Sequence, residues 1–314
     1  MQLYSQTPLI ELFSQHAQGR KVAVKMDAWQ PSGSFKLRGM ERLCRQAVAD
    51  GAACLISSSG GNAGLSAAYV GHKLGIPVTV VVPKSTDQET VALLRAQGAE
   101  AIIYGDVWDE ADAYARELLA NRQGAYIPPF DHPLLWQGHA TLVDELKEQC
   151  DSQPDCIILS VGGGGLFCGV MEGLIRNGWT DTVVIAVETE GTASLAAAVK
   201  AGHLVALNGI HSVATSLGAQ KVAQQALDYA LQYRVVPCIV SDAAAVRACL
   251  RFADECRTLV EPACGASLSV VYDNLPLLKP YKNIVVEACG GSKISLKKLL
   301  HYQKVYGLER SEKN

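Results

Sequence analysis

Short runs of apolar, often β-branched residues recur along the chain and alternate with longer segments of helical periodicity. The runs are nearly continuous rather than alternating, which is typical of parallel strands buried on both faces. We predict strands at Lys21–Met26, Ala53–Ser57, Pro77–Pro83, Ala99–Tyr104, Asp155–Val161, Thr182–Glu188, Val235–Val240 and Asn283–Ala288. We predict helices between them at Phe35–Val48, Gly61–Leu74, Glu89–Gln97, Asp109–Ala120 and Gly165–Asn177. This alternation predicts an α/β fold built from strand–helix–strand units.

The chain has 314 residues, 49% of them hydrophobic, which is enough for a large core and two lobes. We predict a small domain over residues 41–135, inserted into a large domain formed by residues 1–40 and 136–314. Both lobes are expected to be doubly wound, with mostly parallel sheets.

The charge pattern argues against a nucleic-acid or membrane partner. There are 28 basic and 31 acidic residues, the net charge is −3, and no basic run is present. Ten cysteines occur without a CxxC pair, as expected for free thiols in a reducing compartment. No signal-peptide pattern and no stretch of about 18 apolar residues is found. We therefore expect a cytoplasmic protein that acts on a small molecule.

The segment Pro31–Gly39 contains a lysine at a helix start. Ser32 or Ser34 is predicted to cap this helix, which places Lys36 in its first turn. The helix dipole disfavours a cation there, so the lysine is either solvated or used chemically. Burial in positive surroundings lowers the pKa of a lysine and makes its amine a nucleophile. The local pattern leaves both interpretations open.

Three further strand ends have unusual composition. Ser57–Gly64 combines hydroxyls, an amide and backbone N–H groups at a helix start, which suits a carboxylate; an ordinary serine-capped helix is the alternative. Gly162–Gly165 fits neither GxGxxG nor GxxxxGK[ST], so a monophosphate cradle is favoured over a nucleotide site, with a structural turn as the alternative. Cys289 follows the last strand and by itself resembles one more buried cysteine.

These four segments, in this order, resemble the fold-type II pyridoxal-phosphate enzymes, and most closely the L-serine/L-threonine dehydratases of the liver type. The resemblance runs nearly end to end and includes Ile127–Asp131 and Val260–Gly265. It implies a fold like that of the tryptophan synthase β-subunit, pyridoxal 5′-phosphate as cofactor, and a homodimer.

The resemblance also implies roles for individual residues. Lys36 would be the catalytic residue, binding the cofactor as a Schiff base and then removing the α-proton of the substrate. The other cofactor-binding residues would be Phe35, Asn62, Gly162, Gly163, Gly164, Gly165, Leu166, Cys289 and Gly290. The substrate would be bound by Ser58, Ser59, Gly60, Asn62, Ala63 and Phe130. Cys289 would face the pyridine nitrogen, where a neutral thiol is a weak hydrogen-bond partner.

Two further features narrow the implied activity. Position 60 is Gly, where serine racemases carry a serine that serves the opposite face of the substrate, so racemisation is disfavoured. The main liver dehydratases carry Ala there, and Gly matches a less active branch of them. Only residues 290–314 follow Cys289. We therefore expect no C-terminal regulatory domain and a catabolic role.

The segment Glu188–Ser194 resembles the cation loop of the family. The implied ligands of a monovalent cation are Glu188, Ser194 and the backbone carbonyls of Thr192, Leu217 and Ala219. Ser194 replaces the aspartate that binds divalent metals in the racemases, so potassium is favoured. A solvated acidic loop is the alternative.

The sequence therefore predicts elimination of water from L-serine or L-threonine, giving pyruvate or 2-oxobutanoate and ammonia. A serine racemase and a β-replacement enzyme such as a cysteine synthase are alternatives within the same fold. A non-catalytic sensor that binds the cofactor or an amino acid is the alternative from another class. Retention of Lys36, Cys289 and the glycine run argues against a sensor. The pattern does not rank serine against threonine or other β-hydroxy amino acids.

Overall fold

The computed structural model describes residues 1–12, 19–120 and 122–308. Its strands are β1 (Leu9–Glu11), β2 (Lys21–Lys25), β3 (Cys54–Ser57), β4 (Val78–Val82), β5 (Glu100–Ile103), β6 (Gly124–Tyr126), β7 (Cys156–Ser160), β8 (Val183–Thr189), β9 (Val235–Val240) and β10 (Asn283–Glu287). Its helices are α1 (Lys36–Ala49), α2 (Asn62–Leu74), α3 (Gln88–Ala96), α4 (Trp108–Ala120), α5 (Pro133–His139), α6 (Thr141–Gln149), α7 (Gly165–Arg176), α8 (Ser194–Ala201), α9 (Gln224–Gln232), α10 (Asp242–Cys256), α11 (Pro262–Tyr272) and α12 (Leu296–Val305).

The strands of the described residues form two sheets. The larger has the order β1-β2-β10-β7-β8-β9 and the smaller the order β5-β4-β3-β6. All neighbouring strands are parallel except β1 and β2, which are antiparallel. The predicted α/β class with two mostly parallel sheets is confirmed. Each of the eight predicted strands is present, with its ends within one residue of the prediction.

One large hydrophobic core contains residues from both sheets. In the larger sheet Val24, Ile158 and Val286 are fully buried, as are Leu55 and Val80 in the smaller one. Burying an aliphatic side chain of this size contributes about 1.5–3 kcal/mol. This burial on both faces explains why the strands are continuous apolar runs in the sequence.

A buried ion network anchors the start of α1. The Nε of Arg38 donates to Oδ2 of Asp27 at 2.7 Å, and its Nη1 donates to Oε1 of Glu145 at 2.5 Å. The Nζ of Lys25 donates to Oε2 of Glu145 at 2.5 Å. Because Arg38 is two residues from Lys36 and fully buried, the network fixes where α1 begins relative to the larger sheet.

The domain division predicted from the sequence stays a prediction. The smaller sheet lies within residues 54–126, and α1 crosses the predicted boundary between residues 40 and 41. No helix within the described ranges is long and apolar enough to cross a membrane.

Candidate active site

Lys36 is the first residue of α1 and is held inside the molecule. Its Nζ donates to the carbonyl oxygen of Pro129 at 2.6 Å and lies 5.1 Å from the centre of the Phe35 ring. Burial lowers the pKa of this lysine to about 8, although the nearby Cys289 opposes the shift. Of the two interpretations that the sequence leaves open, the partial burial of Lys36 and its hydrogen bond to Pro129 favour the chemical one. The geometry fits a lysine used as a nucleophile or base.

The serine cap predicted for α1 is also wrong. Phe35 precedes the helix in helical conformation, and no side-chain cap is formed within the described residues. Ser34 instead forms a backbone bridge to Gly290, and its hydroxyl is buried without a partner among the described atoms. The start of α1 is therefore set by pairing with the chain after β10 rather than by a local cap.

Cys289 lies directly beside the start of α1. Its carbonyl oxygen accepts a hydrogen bond from the N–H of Phe35 at 3.1 Å. The hydrogen bond with Cys264, reinforced by burial, holds the pKa of the Cys289 thiol well above its usual value. Cys289 is therefore a neutral thiol close to Lys36. Gly290 follows it, and the Gly290 carbonyl accepts from the N–H of Glu261 at 3.3 Å.

The glycine run joins β7 to α7. Gly164 has a left-handed backbone (φ 92°), and a Cβ on Gly163 would lie 2.4 Å from the ring of Phe130. Glycine is therefore required at both positions, by conformation at one and by close contact at the other. Gly165 and Leu166 begin α7, where the first N–H groups lack partners within the helix. The turn, here called the glycine cup (Gly162–Gly165), therefore has a backbone suited to an anion, and the predicted phosphate cradle stays a prediction.

Phe130 connects the glycine cup to Lys36. Its ring packs against Gly163, and its carbonyl oxygen accepts a hydrogen bond from Nε1 of Trp136 at 2.9 Å. Its chain neighbour Pro129 accepts the hydrogen bond from Lys36. A border of the substrate side-chain pocket, the role expected for Phe130, stays a prediction.

The substrate loop, residues 58–61, follows β3 and leads into α2. Ser58 is fully buried, and its hydroxyl donates to Oδ1 of Asp112 at 2.6 Å. The hydroxyl oxygen of Ser59 accepts from the N–H of Gly61 at 3.3 Å. Gly60 packs closely against Val82. The first helix residues, Asn62 and Ala63, place an amide and backbone N–H groups at the start of α2.

Asn62 joins this loop to the chain that follows Cys289. Its Nδ2 donates to Oε1 of Glu261 at 3.1 Å, and its Oδ1 accepts from the N–H of Ser292 at 2.8 Å. Glu261 also accepts from the N–H of Lys293 at 2.8 Å and from the hydroxyl of Ser216. The structure thus brings the four segments singled out in the sequence to one place.

Glu261 was not predicted as a site residue. The segment Val260–Gly265 was noted only as similar to the family, and no role was inferred from it. The one local signal is the Glu-Pro pair at the start of α11. Glu261 contacts residues 62, 216 and 293. These residues are far apart in the sequence and form no periodic pattern with Glu261.

The predicted cation loop has a definite geometry. Both oxygens of Glu188 accept backbone N–H groups at the start of α8, from Leu195 at 2.7 Å and Ala196 at 2.8 Å. Burial raises the pKa of Glu188 to about 7. The hydroxyl of Ser194 is buried without a partner among the described atoms. Glu188 is therefore a buried residue that caps a helix, and not part of a solvated acidic loop.

The remaining predicted cation ligands have other contacts. The Thr192 hydroxyl lies 2.8 Å from that of Thr189, and the carbonyl oxygen of Leu217 accepts from the N–H of Ala219 at 2.8 Å. The described residues contain no group of three or more His, Cys, Asp or Glu side chains that would hold a metal ion. The cation site stays a prediction.

Comparison with known proteins defines the class. The sequence pattern of the family described as "Pyridoxal-phosphate dependent enzyme" matches residues 1–290. The chain therefore belongs to this family.

Several relatives share almost the whole chain. It is 44% identical to a Bos taurus protein named L-serine dehydratase/L-threonine deaminase, over 98% of this chain and 97% of the relative. It is 45% identical to a Rattus norvegicus protein named serine dehydratase-like, over 93% and 92%. The crystal structure of a fungal L-serine ammonia-lyase from Rhizomucor miehei has a TM-score of 0.92 and 40% identity, over 98% of this chain and 100% of that one.

The residues present fit pyridoxal phosphate. The glycine cup has no side chains over its backbone and leads into the start of α7, which suits a phosphate, and a lysine with a lowered pKa suits covalent attachment of the aldehyde. The neutral thiol of Cys289 suits the pyridine nitrogen. These three groups are therefore the ones expected to hold the cofactor.

Proposed function

We propose that this protein eliminates water from L-serine and L-threonine, giving a 2-oxo acid and ammonia. The observation that carries the proposal is that contacts through Pro129, Phe130 and Asn62 bring Lys36, the glycine cup and the chain after Cys289 together. The names of the relatives at 44–46% identity support the same reaction. Bound pyridoxal phosphate supplies the electron withdrawal that acidifies the α-hydrogen of an amino acid.

The protein residues then have separate tasks. The carboxylate of the substrate is bound by the substrate loop and the start of α2, where N–H groups and the Asn62 amide are available. Lys36 takes the α-proton on its Nζ, since its lowered pKa leaves much of the amine neutral near pH 8. The hydroxyl leaves from the β-carbon as water, and the proton that it gains balances the α-proton taken up by Lys36. The resulting enamine is hydrolysed to the 2-oxo acid and ammonia.

The assigned roles follow from this arrangement. Phe35, Leu166 and Gly290 join Lys36, Asn62, Cys289 and the glycine cup in holding the cofactor. Ser59, Gly60, Ala63 and Phe130 surround the substrate, and Ser58 contributes through its backbone, since its hydroxyl is bound to Asp112.

The experiment is direct. Purified protein should be yellow and should release pyruvate from L-serine, and Lys36→Ala should lose both properties. Lys84→Ala is the matched control, because Lys84 lies on the surface and contacts Asp106. A colourless wild-type protein, or one that forms no 2-oxo acid from L-serine or L-threonine, would refute the proposal.

The domain and cation predictions are carried forward as proposals. We propose that residues 41–135 form a small domain and that residues 1–40 and 136–314 form the large one. We propose that potassium binds near Glu188 and Ser194, together with the carbonyl oxygens of Thr192, Leu217 and Ala219. The unpartnered buried hydroxyl of Ser194 supports the site. Equal activity in potassium and in a large organic cation would rule the cation out.

We also propose that the protein works as a homodimer in the cytoplasm. All ten cysteines are free, which suits a reducing compartment. Analytical ultracentrifugation at micromolar concentration tests the dimer, and a single monomer peak contradicts it. Localisation of a tagged chain tests the compartment.

A further inference from the structure

Helix α4 forms hydrogen bonds with two atoms of Ser58, the first residue of the substrate loop. The indole Nε1 of Trp108 donates to the carbonyl oxygen of Ser58 at 3.1 Å. One turn later, Oδ1 of Asp112 accepts the hydroxyl proton of Ser58 at 2.6 Å. Because Trp108 and Asp112 are four residues apart, they lie on the same face of the helix. The first residue of the loop is therefore tied to α4 through its backbone and its side chain.

In this arrangement the Ser58 hydroxyl bonds to other residues of the protein rather than to a ligand. A serine hydroxyl has one proton, and Ser58 gives it to Asp112. The hydroxyl oxygen also lies 2.9 Å from that of Tyr126, which itself donates to Asp112. Ser58 is fully buried. A substrate carboxylate therefore meets the backbone N–H groups of the loop and the start of α2, and not this hydroxyl.

Asp112 is an anion close to a loop that is assigned to bind an anion. Burial raises the pKa of Asp112, but hydrogen bonds from Ser58, Tyr126 and Arg116 outweigh it, so the pKa is lowered and the group is ionised. The Nε of Arg116 donates to Oδ2 of Asp112 at 2.8 Å, and its guanidinium lies 4.0 Å from the centre of the Tyr126 ring. The cation offsets the charge that would otherwise repel a carboxylate.

We propose that Trp108 and Asp112 are positioning residues that set the affinity of the active site for the carboxylate of its amino acid substrate. They hold Ser58 so that the N–H groups after it face the ligand, with Arg116 neutralising the buried charge. This inference rests on the proposed function, which assigns the loop to the substrate carboxylate. It extends that function to a helix with no residue in the expected site.

The test compares two ligands that differ in one group. L-Alanine carries the carboxylate, and isopropylamine has a methyl group in its place; neither has a hydroxyl that could be eliminated. Binding of each to the holoenzyme is measured by titration of the cofactor absorbance. We expect Asp112→Ala to weaken L-alanine binding about tenfold, as for one lost charge-assisted hydrogen bond, and to leave isopropylamine binding unchanged. With L-serine, KM should rise by a similar factor while kcat changes little.

Three further variants complete the design. Asp112→Asn keeps an oxygen that accepts the Ser58 proton, so it should recover most of the affinity for L-alanine. Trp108→Phe removes the indole N–H while it keeps an aromatic ring, and it should weaken L-alanine binding selectively, which keeps the inference testable where Asp112→Ala folds poorly. Asp109→Ala, at an exposed position of the same helix, is the matched control and should match the wild type.

The outcomes separate the two proposals. Equal losses for L-alanine and isopropylamine in Asp112→Ala and Trp108→Phe would indicate a general structural effect and overturn the inference. Unchanged L-alanine affinity in both variants overturns it as well. A wild-type enzyme that binds L-alanine selectively but forms no pyruvate from L-serine refutes the proposed reaction instead, and the comparison of ligands still tests the role of α4.

Discussion

The Nζ of Lys36 lies 2.6 Å from the carbonyl oxygen of Pro129, and this contact ties the reactive amine to the glycine cup. The next residue, Phe130, covers Gly163 with its ring. Lys36 and the glycine cup are more than 120 residues apart in the sequence, yet one dipeptide joins them. The chain that enters α5 therefore sets the distance between the Nζ of Lys36 and the glycine cup.

The pKa of Lys36 predicts how the apoenzyme takes up its cofactor. Burial lowers that pKa to about 8, and only the neutral amine attacks an aldehyde. The rate constant for cofactor uptake should therefore rise with pH up to about 8 and then level off, whereas an ordinary lysine would level off near pH 10.4. Stopped-flow absorbance after mixing apoenzyme with pyridoxal phosphate measures this. A rate constant that still rises steeply above about pH 9 contradicts the buried amine.

Substitution of Gly163 should weaken cofactor binding. An alanine methyl group there would lie 2.4 Å from the ring of Phe130. Relieving such overpacking costs about 1–3 kcal/mol, so we expect Gly163→Ala to raise the Kd for pyridoxal phosphate roughly tenfold to a hundredfold. Equilibrium dialysis of the apoenzyme measures the Kd.

Gly178→Ala is the control for this prediction. Gly178 lies just past the other end of α7, and although its φ is 72°, a Cβ there meets no atom within 4 Å. It should lower stability slightly and leave the cofactor Kd unchanged. Equal Kd values for the two variants would contradict the predicted role of the glycine cup.

Gly60 is constrained by Val82 and Thr86. A Cβ there would lie 2.9 Å from Cγ1 of Val82 and 3.3 Å from Cγ2 of Thr86. Gly60→Ala should therefore displace the substrate loop and raise KM for L-serine, and Val82→Ala should relieve the contact. We expect a coupling of about 1 kcal/mol in a double-mutant cycle on kcat/KM. If the effects of Gly60→Ala and Val82→Ala on kcat/KM are strictly additive, the contact between these two positions does not limit which residue the loop accepts.

The buried network under α1 should contribute strongly to stability. Arg38 is fully buried and pairs with Asp27 and Glu145. Arg38→Ala leaves these carboxylates without their partner and should lower the free energy of unfolding by about 3–5 kcal/mol. Arg42→Ala, one turn along at an exposed position, should change it by less than about 0.5 kcal/mol. Urea unfolding of both variants measures the difference.

The same network predicts a loss of stability in acid. Burial raises the pKa of Asp27, but Arg38 outweighs it, so the folded-state pKa lies below the usual value. Asp27 therefore stabilises the fold above its unfolded pKa of about 3.9, and this contribution is lost as the pH falls through the folded pKa. The free energy of unfolding, measured from about pH 6 to pH 2, should therefore fall less in Asp27→Asn than in the wild type.

Most of the secondary structure could be predicted from local patterns. Six of the eight predicted strands are almost fully buried, which leaves continuous apolar runs, while β5 and β9 are partly exposed. Strands β1 and β6 were not predicted, because each has three residues and is only partly buried, which leaves no pattern to detect. The predicted serine cap of α1 was wrong because the chain after β10 pairs with Ser34. Pairing between residues so far apart has no local signal.

The sequence by itself determined the α/β class, the positions of eight strands and five helices, and the residue types that fit pyridoxal phosphate. Those features depend on burial periodicity and on short motifs, which neighbouring residues carry. Only the tertiary structure decided that Lys36 is partly buried and bonded to Pro129, that the Ser58 hydroxyl donates to Asp112, and that Asn62 donates to Glu261. Each of these depends on which distant side chain occupies the adjoining space, and the folded backbone alone determines that.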